Sequence, residues 1–267
     1  MKHRLSYLIL VLTLLAAMLY TNPVYAANAV VGNGTAASCT EAAFDNALAI
    51  ATSGGGTITF NCGAAIKTIT FTSSKSILTG NVTINGNNLI ILSGGPGVRH
   101  FFINDGLTFT LQNITLRDGD SPVGGGAIEA SGAYIILESV KLLNNYASNQ
   151  GGAIYCYIGV DGTLTVNNSF FENNASANGG AIYNDGCTTT ISNTTFLTND
   201  ATASGGALHN AFNASLIVNG STFQSNTALD GGGLFNSSGA TATLNSSTFQ
   251  GNTGGYGGGL ENSGAIT

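Results

Sequence analysis

Reactive side chains are sparse in this chain. Arg117-Asp118-Gly119-Asp120 holds the one close carboxylate pair with a cation beside it. Asp118 and Asp120 could bind calcium through oxygen ligands or divide the roles of acid and base in glycoside hydrolysis. The plainer reading is a solvated turn, because Asp hydrogen-bonds its own neighbouring backbone. Glu138, Glu172 and Asp200 are scattered and form no second cluster by spacing. In the C-terminal half, His209 is the one side chain whose ordinary pKa suits it to act as a base near neutrality. No nucleophile elbow, zinc motif or phosphate-binding loop is present. The residues therefore lean away from catalysis, although coiling of the chain could still bring distant groups together. No cofactor is expected, and calcium is the one ion with a candidate site.

The elements that would position these groups come from repetition. Glycine doublets start at positions 125, 151, 179, 205, 231 and 257, in steps of 26, 28, 26, 26 and 26 residues, each followed by Ala or Gly and then Ile or Leu. A second signature recurs with them: Leu142 to Asn145, Phe171 to Asn174, Phe196 to Asn199, Phe223 to Asn226 and Phe249 to Asn252. Between the signatures lie short alternating runs such as Thr163-Leu164-Thr165-Val166, too short for helices and in the period-2 pattern of strands. A single unit could not persist alone. Ordering each backbone residue costs about 1–2 kcal/mol, whereas roughly six to eight buried apolar side chains return about 1.5–3 kcal/mol each. Stacked copies solve this, since every strand then pairs with its equivalents in neighbouring coils. The expected fold is all-β: a right-handed, single-stranded parallel β-helix.

In that coil the two signatures acquire physical roles. Gly-Gly permits positive φ and close backbone approach at a corner. Phe171, Phe196, Phe223 and Phe249 fill the interior at one level. Asn145, Asn174, Asn199, Asn226 and Asn252 are expected in the left-handed conformation, stacked as a ladder of amides. With Ile154 and its equivalents pointing inward, the next position points outward, and it reads Glu129, Tyr155, Tyr183, His209, Phe235 and Glu261. Strands lie about 4.8 Å apart, so Tyr155, Tyr183, His209 and Phe235 would form an outward aromatic column ended by carboxylates. Such a strip could contact sugar faces or another cell-surface ligand; the plainer account is mutual stabilisation along the sheet. Outward threonine pairs, Thr108/Thr110, Thr163/Thr165, Thr188/Thr190 and Thr241/Thr243, give a layout similar to ice-binding β-helices. Tyr134/Ile136 and Ser215/Ile217 interrupt it.

The chain begins with basic Met1-Lys2-His3-Arg4, an apolar run from Leu5 to Tyr20 and small residues near Ala26, which reads as a secretory signal peptide over residues 1–26. The run is shorter than the roughly 20 residues of a spanning helix, and no other run approaches that length, so no transmembrane helix is expected in the mature chain, residues 27–267. Charged residues make up 7% of the sequence, against about 25% in ordinary domains. Without Lys2 and Arg4, five basic residues face thirteen acidic ones, and none of the five lies beyond Lys141. Nucleic acid, which needs several cationic contacts, is excluded as a partner. Four cysteines in an exported chain suggest disulfides. Of three pairings the preferred one is Cys39–Cys62, a clasp on the N-terminal region, leaving Cys156–Cys187 between neighbouring repeats; free buried thiols are the alternative. Ser38-Cys39-Thr40-Glu41 has capping-box spacing, and Phe44, Ala47, Leu48 and Ala51 recur at helical intervals, so residues 39–51 read as a short helix covering the first coil, as an exposed sheet edge requires. At Thr267 the sequence stops partway through a further unit with no visible cap, which suggests a fragment of a longer protein.

The glycine doublets with Ala-Ile, together with Phe-x-x-Asn, resemble the repeats of chlamydial-type polymorphic outer membrane proteins. The resemblance covers Gly125 to Leu260, about half of the chain. It implies a right-handed β-helix passenger, a secreted or outer-membrane-surface location and an adhesin-like role, although the sequence carries no C-terminal autotransporter barrel. More loosely, the whole mature chain is similar to the pectin-lyase-like superfamily, whose lyases and hydrolases use carboxylate clusters with a basic residue. The expectation is thus a non-catalytic surface protein that binds carbohydrate or a cell-surface ligand, with a polysaccharide lyase or hydrolase as the alternative and an ice-binding protein or structural spacer as the third.

Overall fold

The computed structural model describes residues 26–157, 162–211 and 213–267; the signal-peptide reading falls on residues 1–25, outside the described residues, apart from Ala26. The chain winds into a parallel β-solenoid of about nine turns, as the repeat predicts. A complete turn carries four short strands, for example Ile154–Tyr157, Thr163–Asn167, Phe170–Glu172 and Ala175–Asn178. Stacked turns place these in a tyrosine sheet of eight strands, a threonine sheet of ten, a phenylalanine sheet of eight and a six-stranded sheet. Pairing follows the sequence repeat: Thr163 lies opposite Thr188, Thr188 opposite Ser215, and Ser215 opposite Thr241.

Apolar residues at alternate positions point into the tube, and Ile154, Leu164, Val166 and Phe171 are fully buried there. Phe171, Phe196, Phe223 and Phe249 stack at centroid distances of 4.8, 4.8 and 4.6 Å, with interplanar angles falling from 20° to 4°. Beside them the amide ladder is nearly saturated. Asn199 Oδ1 accepts from both the backbone N–H and Nδ2 of Asn174, at 3.0 and 2.9 Å, while Asn199 Nδ2 donates to Phe171 O and Asn226 Oδ1. Burying amides is tolerable only when their bonds are made, and one Asn per coil at the same height makes them.

The left-handed expectation for these asparagines is wrong by one position. The residues with positive φ are Asn144, Asn173, Thr198, Ser225 and Gly251, each immediately before a ladder Asn. That preceding residue makes the bend and faces solvent, whereas the ladder Asn turns its amide inward. The glycine doublets serve two needs. Gly151 has φ 58°, and its equivalents lie between 59° and 68°. Their partners, such as Gly180, lie so close to the next coil that a Cβ would collide with Gly206 O.

The N-terminal helix, α1, spans Glu41–Gly54, not residues 39–51. Thr40, rather than Ser38, is its N-cap and accepts from Ala43 N–H at 3.2 Å; Ser38 is held in the preceding turn by Thr35 O. Glu41 consequently opens the helix and reaches Lys75 and Thr72 instead of closing a capping box. The apolar face of α1, Phe44, Ala47, Leu48 and Ala51, is buried, with Phe44 5.0 Å from Phe71 between ring centroids. Disulfides join Cys39 to Cys62 and Cys156 to Cys187.

Candidate functional site

The tyrosine sheet presents one outward register position in successive coils: Phe102, Glu129, Tyr155, Tyr183, His209, Phe235 and Glu261. The four central rings are in contact, with centroids 5.7 Å apart for Tyr155 and Tyr183, 4.7 Å for Tyr183 and His209, and 4.9 Å for His209 and Phe235. The expectation of a continuously open strip is corrected at His209, which is only 8% exposed. The tight Gly205-Gly206 corner folds the strand Asp200–Ser204 back against the column. Ser204 Oγ then lies 2.9 Å from His209 Nδ1, and Ser237 Oγ lies 3.0 Å from Nε2. Burial lowers the His209 pKa to about 4, outweighing the stabilising contact at Ser204, so the ring is neutral near pH 7.

At the N-terminal end of the column the arrangement is more accessible. Tyr155, Tyr157 and Tyr183 are all partly exposed. Tyr157 stacks on Tyr155 at 4.8 Å and 28°, and Tyr155 donates its hydroxyl proton to Asp185 Oδ2 at 3.3 Å. Burial and the neighbouring Asp185 carboxylate raise the pKa of both Tyr155 and Tyr183, so both hydroxyls stay protonated and able to donate. Three aromatic rings and one carboxylate therefore share a single patch of surface. Tyr157 and Asp185 were absent from the column inferred above. They sit two residues after Tyr155 and Tyr183, opposite each other across the strands, and strand alternation alone would have placed them on the same face.

Glu129, at the head of the column, is paired with Arg99, whose Nε and Nη2 also donate to Gly124 O, Gly125 O and Ser121 Oγ at 2.8–3.0 Å. Beneath the aromatic column runs a second amide ladder, Asn184 to Asn210 to Asn236 to Asn262, with Nδ2 to Oδ1 distances of 2.8, 2.8 and 2.7 Å. It starts at Asn184 because the preceding coil carries Cys156 at that position, in the disulfide with Cys187. The recurrence of Asn one residue after the aromatic column was a readable signal.

Asp118 and Asp120 each have separate work. Asp118, at φ 56°, is the corner residue equivalent to Asn144 and Asn173; it accepts from Ser93 Oγ and lies 3.3 Å from Arg117 Nε. Asp120 accepts from Gly97 N–H at 2.8 Å. Among the described residues no group of three or more His, Cys, Asp or Glu side chains gathers in one place.

The fold and its surface define a parallel β-solenoid protein with an aromatic patch on one sheet. Two of its segments, residues 139–157 and 168–185, match the family model for the Chlamydia polymorphic membrane protein (Chlamydia_PMP) repeat. Each segment contains a Leu- or Phe-x-x-Asn signature and a Gly-Gly-Ala-Ile signature. No curated protein and no solved structure matches the chain.

Proposed function

We propose that this is a surface-exposed, exported protein that binds carbohydrate or a related neutral cell-surface ligand without transforming it. The observation that carries the reading is the cluster of Tyr155, Tyr157, Tyr183 and Asp185. Aromatic carbon offers contact to the apolar faces of sugar rings, while tyrosine hydroxyls and a carboxylate exchange hydrogen bonds with sugar hydroxyls. The repeat match supports a location at the outer membrane surface. Among the described residues no helix is long and apolar enough to cross a membrane. Acidic residues outnumber basic ones, and Arg99, near the column, is already committed to Glu129 and three other oxygens. A neutral ligand is therefore favoured over uronic or sialic acid polymers.

The test is glycan-array retention of the purified mature chain against a Tyr155→Ser/Tyr157→Ser/Tyr183→Ser variant. The expected result is selective retention on neutral glycans that the triple variant loses while its circular dichroism stays that of a β-solenoid. Equal retention of both proteins, or turnover of uronic-acid polysaccharides with or without calcium, would overturn the reading.

A further inference from the structure

The threonine sheet carries a second surface, independent of the tyrosine patch. Its strands pair without a bulge from Val82–Asn85 to Thr241–Asn245, so outward side chains fall into straight columns. The middle column holds Thr57, Thr83, Thr110, Thr165, Thr190 and Thr243, with Ile136 and Ile217 in the two remaining coils. Every member is β-branched. This extends the threonine array to Thr83 and Thr57, which belong to the first, less regular coils, and at the two interruptions isoleucine keeps the β-branch and its methyl but carries an ethyl group in place of the hydroxyl. The parallel column beside it reads Thr108, Tyr134, Thr163, Thr188, Ser215 and Thr241, with a hydroxyl in every coil. Glu138 is the one charged side chain in the outward columns of these strands.

We propose that this face binds ice. Coils repeat about 4.8 Å apart and alternate residues of a strand stand about 6.7 Å apart, a rectangular grid close to the two in-plane repeats on the prism face of hexagonal ice. Such β-branched side chains have restricted χ1 freedom, which limits how far methyl and hydroxyl groups can drift out of register from coil to coil. Two adjacent coils, Thr163/Thr165 and Thr188/Thr190, provide an uninterrupted two-by-two block of this grid. These two columns carry neither cations nor anions, which suits an uncharged lattice, since charged groups would hold their own hydration shells out of register with it. Tyr134 projects beyond the threonines on one side of that block, which restricts the contact to the coils that follow it.

The experiment is thermal hysteresis and ice-crystal shaping by the mature chain near zero degrees, alongside Thr165→Tyr/Thr190→Tyr. Tyrosine is well accepted on a strand surface and already occupies position 134, while its ring would hold the lattice away. A melting–freezing gap with faceted crystals is expected, most of it lost in the double variant with an unchanged circular dichroism melt. No gap at millimolar protein, a gap unaffected by the double substitution, or sedimentation showing the threonine faces buried between two copies in the cold would each overturn the proposal. The Tyr155→Ser/Tyr157→Ser/Tyr183→Ser protein should retain the full gap, so this result stands or falls apart from glycan binding.

Discussion

Replacing Asn199 by alanine tests the physical basis of the solenoid. Asn199 is fully buried, and its side chain takes part in four hydrogen bonds. After truncation Asn174 Nδ2 still has Leu142 O, and Asn226 Oδ1 still accepts from Asn199 N–H. The Asn174 backbone N–H, in contrast, loses the amide that served it, whereas Phe171 O keeps the Leu197 N–H of the parallel strand pair. Leaving a buried polar group unsatisfied costs about 1–3 kcal/mol, so the orphaned N–H predicts a destabilisation of about 1–3 kcal/mol. Asn252→Ala is the internal control: Asn252 is only partly buried, water can replace its amide, and the loss should be near 1 kcal/mol. Asn199→Asp is the sharper variant, because it sets a carboxylate oxygen against two acceptors, Phe171 O and Asn226 Oδ1. At pH 7 it should be less stable than Asn199→Ala despite its closer shape. Urea unfolding followed by circular dichroism measures all three. If Asn199→Ala stays within about 0.5 kcal/mol of the parent, as an ordinary surface change would, or Asn199→Asp equals the parent, the ladder does not hold the coils together.

Two further predictions concern pH. Burial lowers the pKa of both His100 and His209 to about 4 against contacts that favour protonation, chiefly from Leu92 O at His100 and Ser204 at His209. Both rings titrate near 6.5 when unfolded. The unfolded chain therefore binds more protons between about pH 6.5 and 4, so stability is full above that window and falls as pH drops through it; the slope of the urea midpoint against pH should be shallower in His209→Gln. At α1, burial opposes ionisation of Glu41, but hydrogen bonds from Lys75, Thr72 N–H and the Thr72 hydroxyl prevail and hold its pKa at about 2. Its contribution is complete above the ordinary value of 4.5 and is lost as pH falls toward 2. Hydrogen exchange of the α1 amides should accelerate over that lower window, and Glu41→Gln should remove the pH dependence while leaving the rest of the solenoid protected.

A spacing of 26 residues and a doubled glycine were enough to specify coils, their parallel stacking and the residues that share a height, because parallel pairing in register transmits sequence period directly into space. The same arithmetic aligned Tyr155, Tyr183, His209 and Phe235. It also contained Asn184, Asn210, Asn236 and Asn262, and Tyr157 beside Asp185, which became visible only once outward and inward positions were followed along the strand. Corner geometry was not available from the period. Whether the bend falls on the ladder residue or on the one before it depends on which carbonyls the turn must satisfy, and the answer is the residue before, at Asn144, Asn173 and Thr198. Likewise, His209 points away from the lumen yet is covered, since the Gly205-Gly206 bend brings Ser204 over it. Sequence by itself determined the repeat, the strand type and the contents of each column. Tertiary structure alone decided which column remains open to a ligand, because exposure depends on how far one sheet leans over the next, and that angle is set by corner dihedrals and contacts between coils.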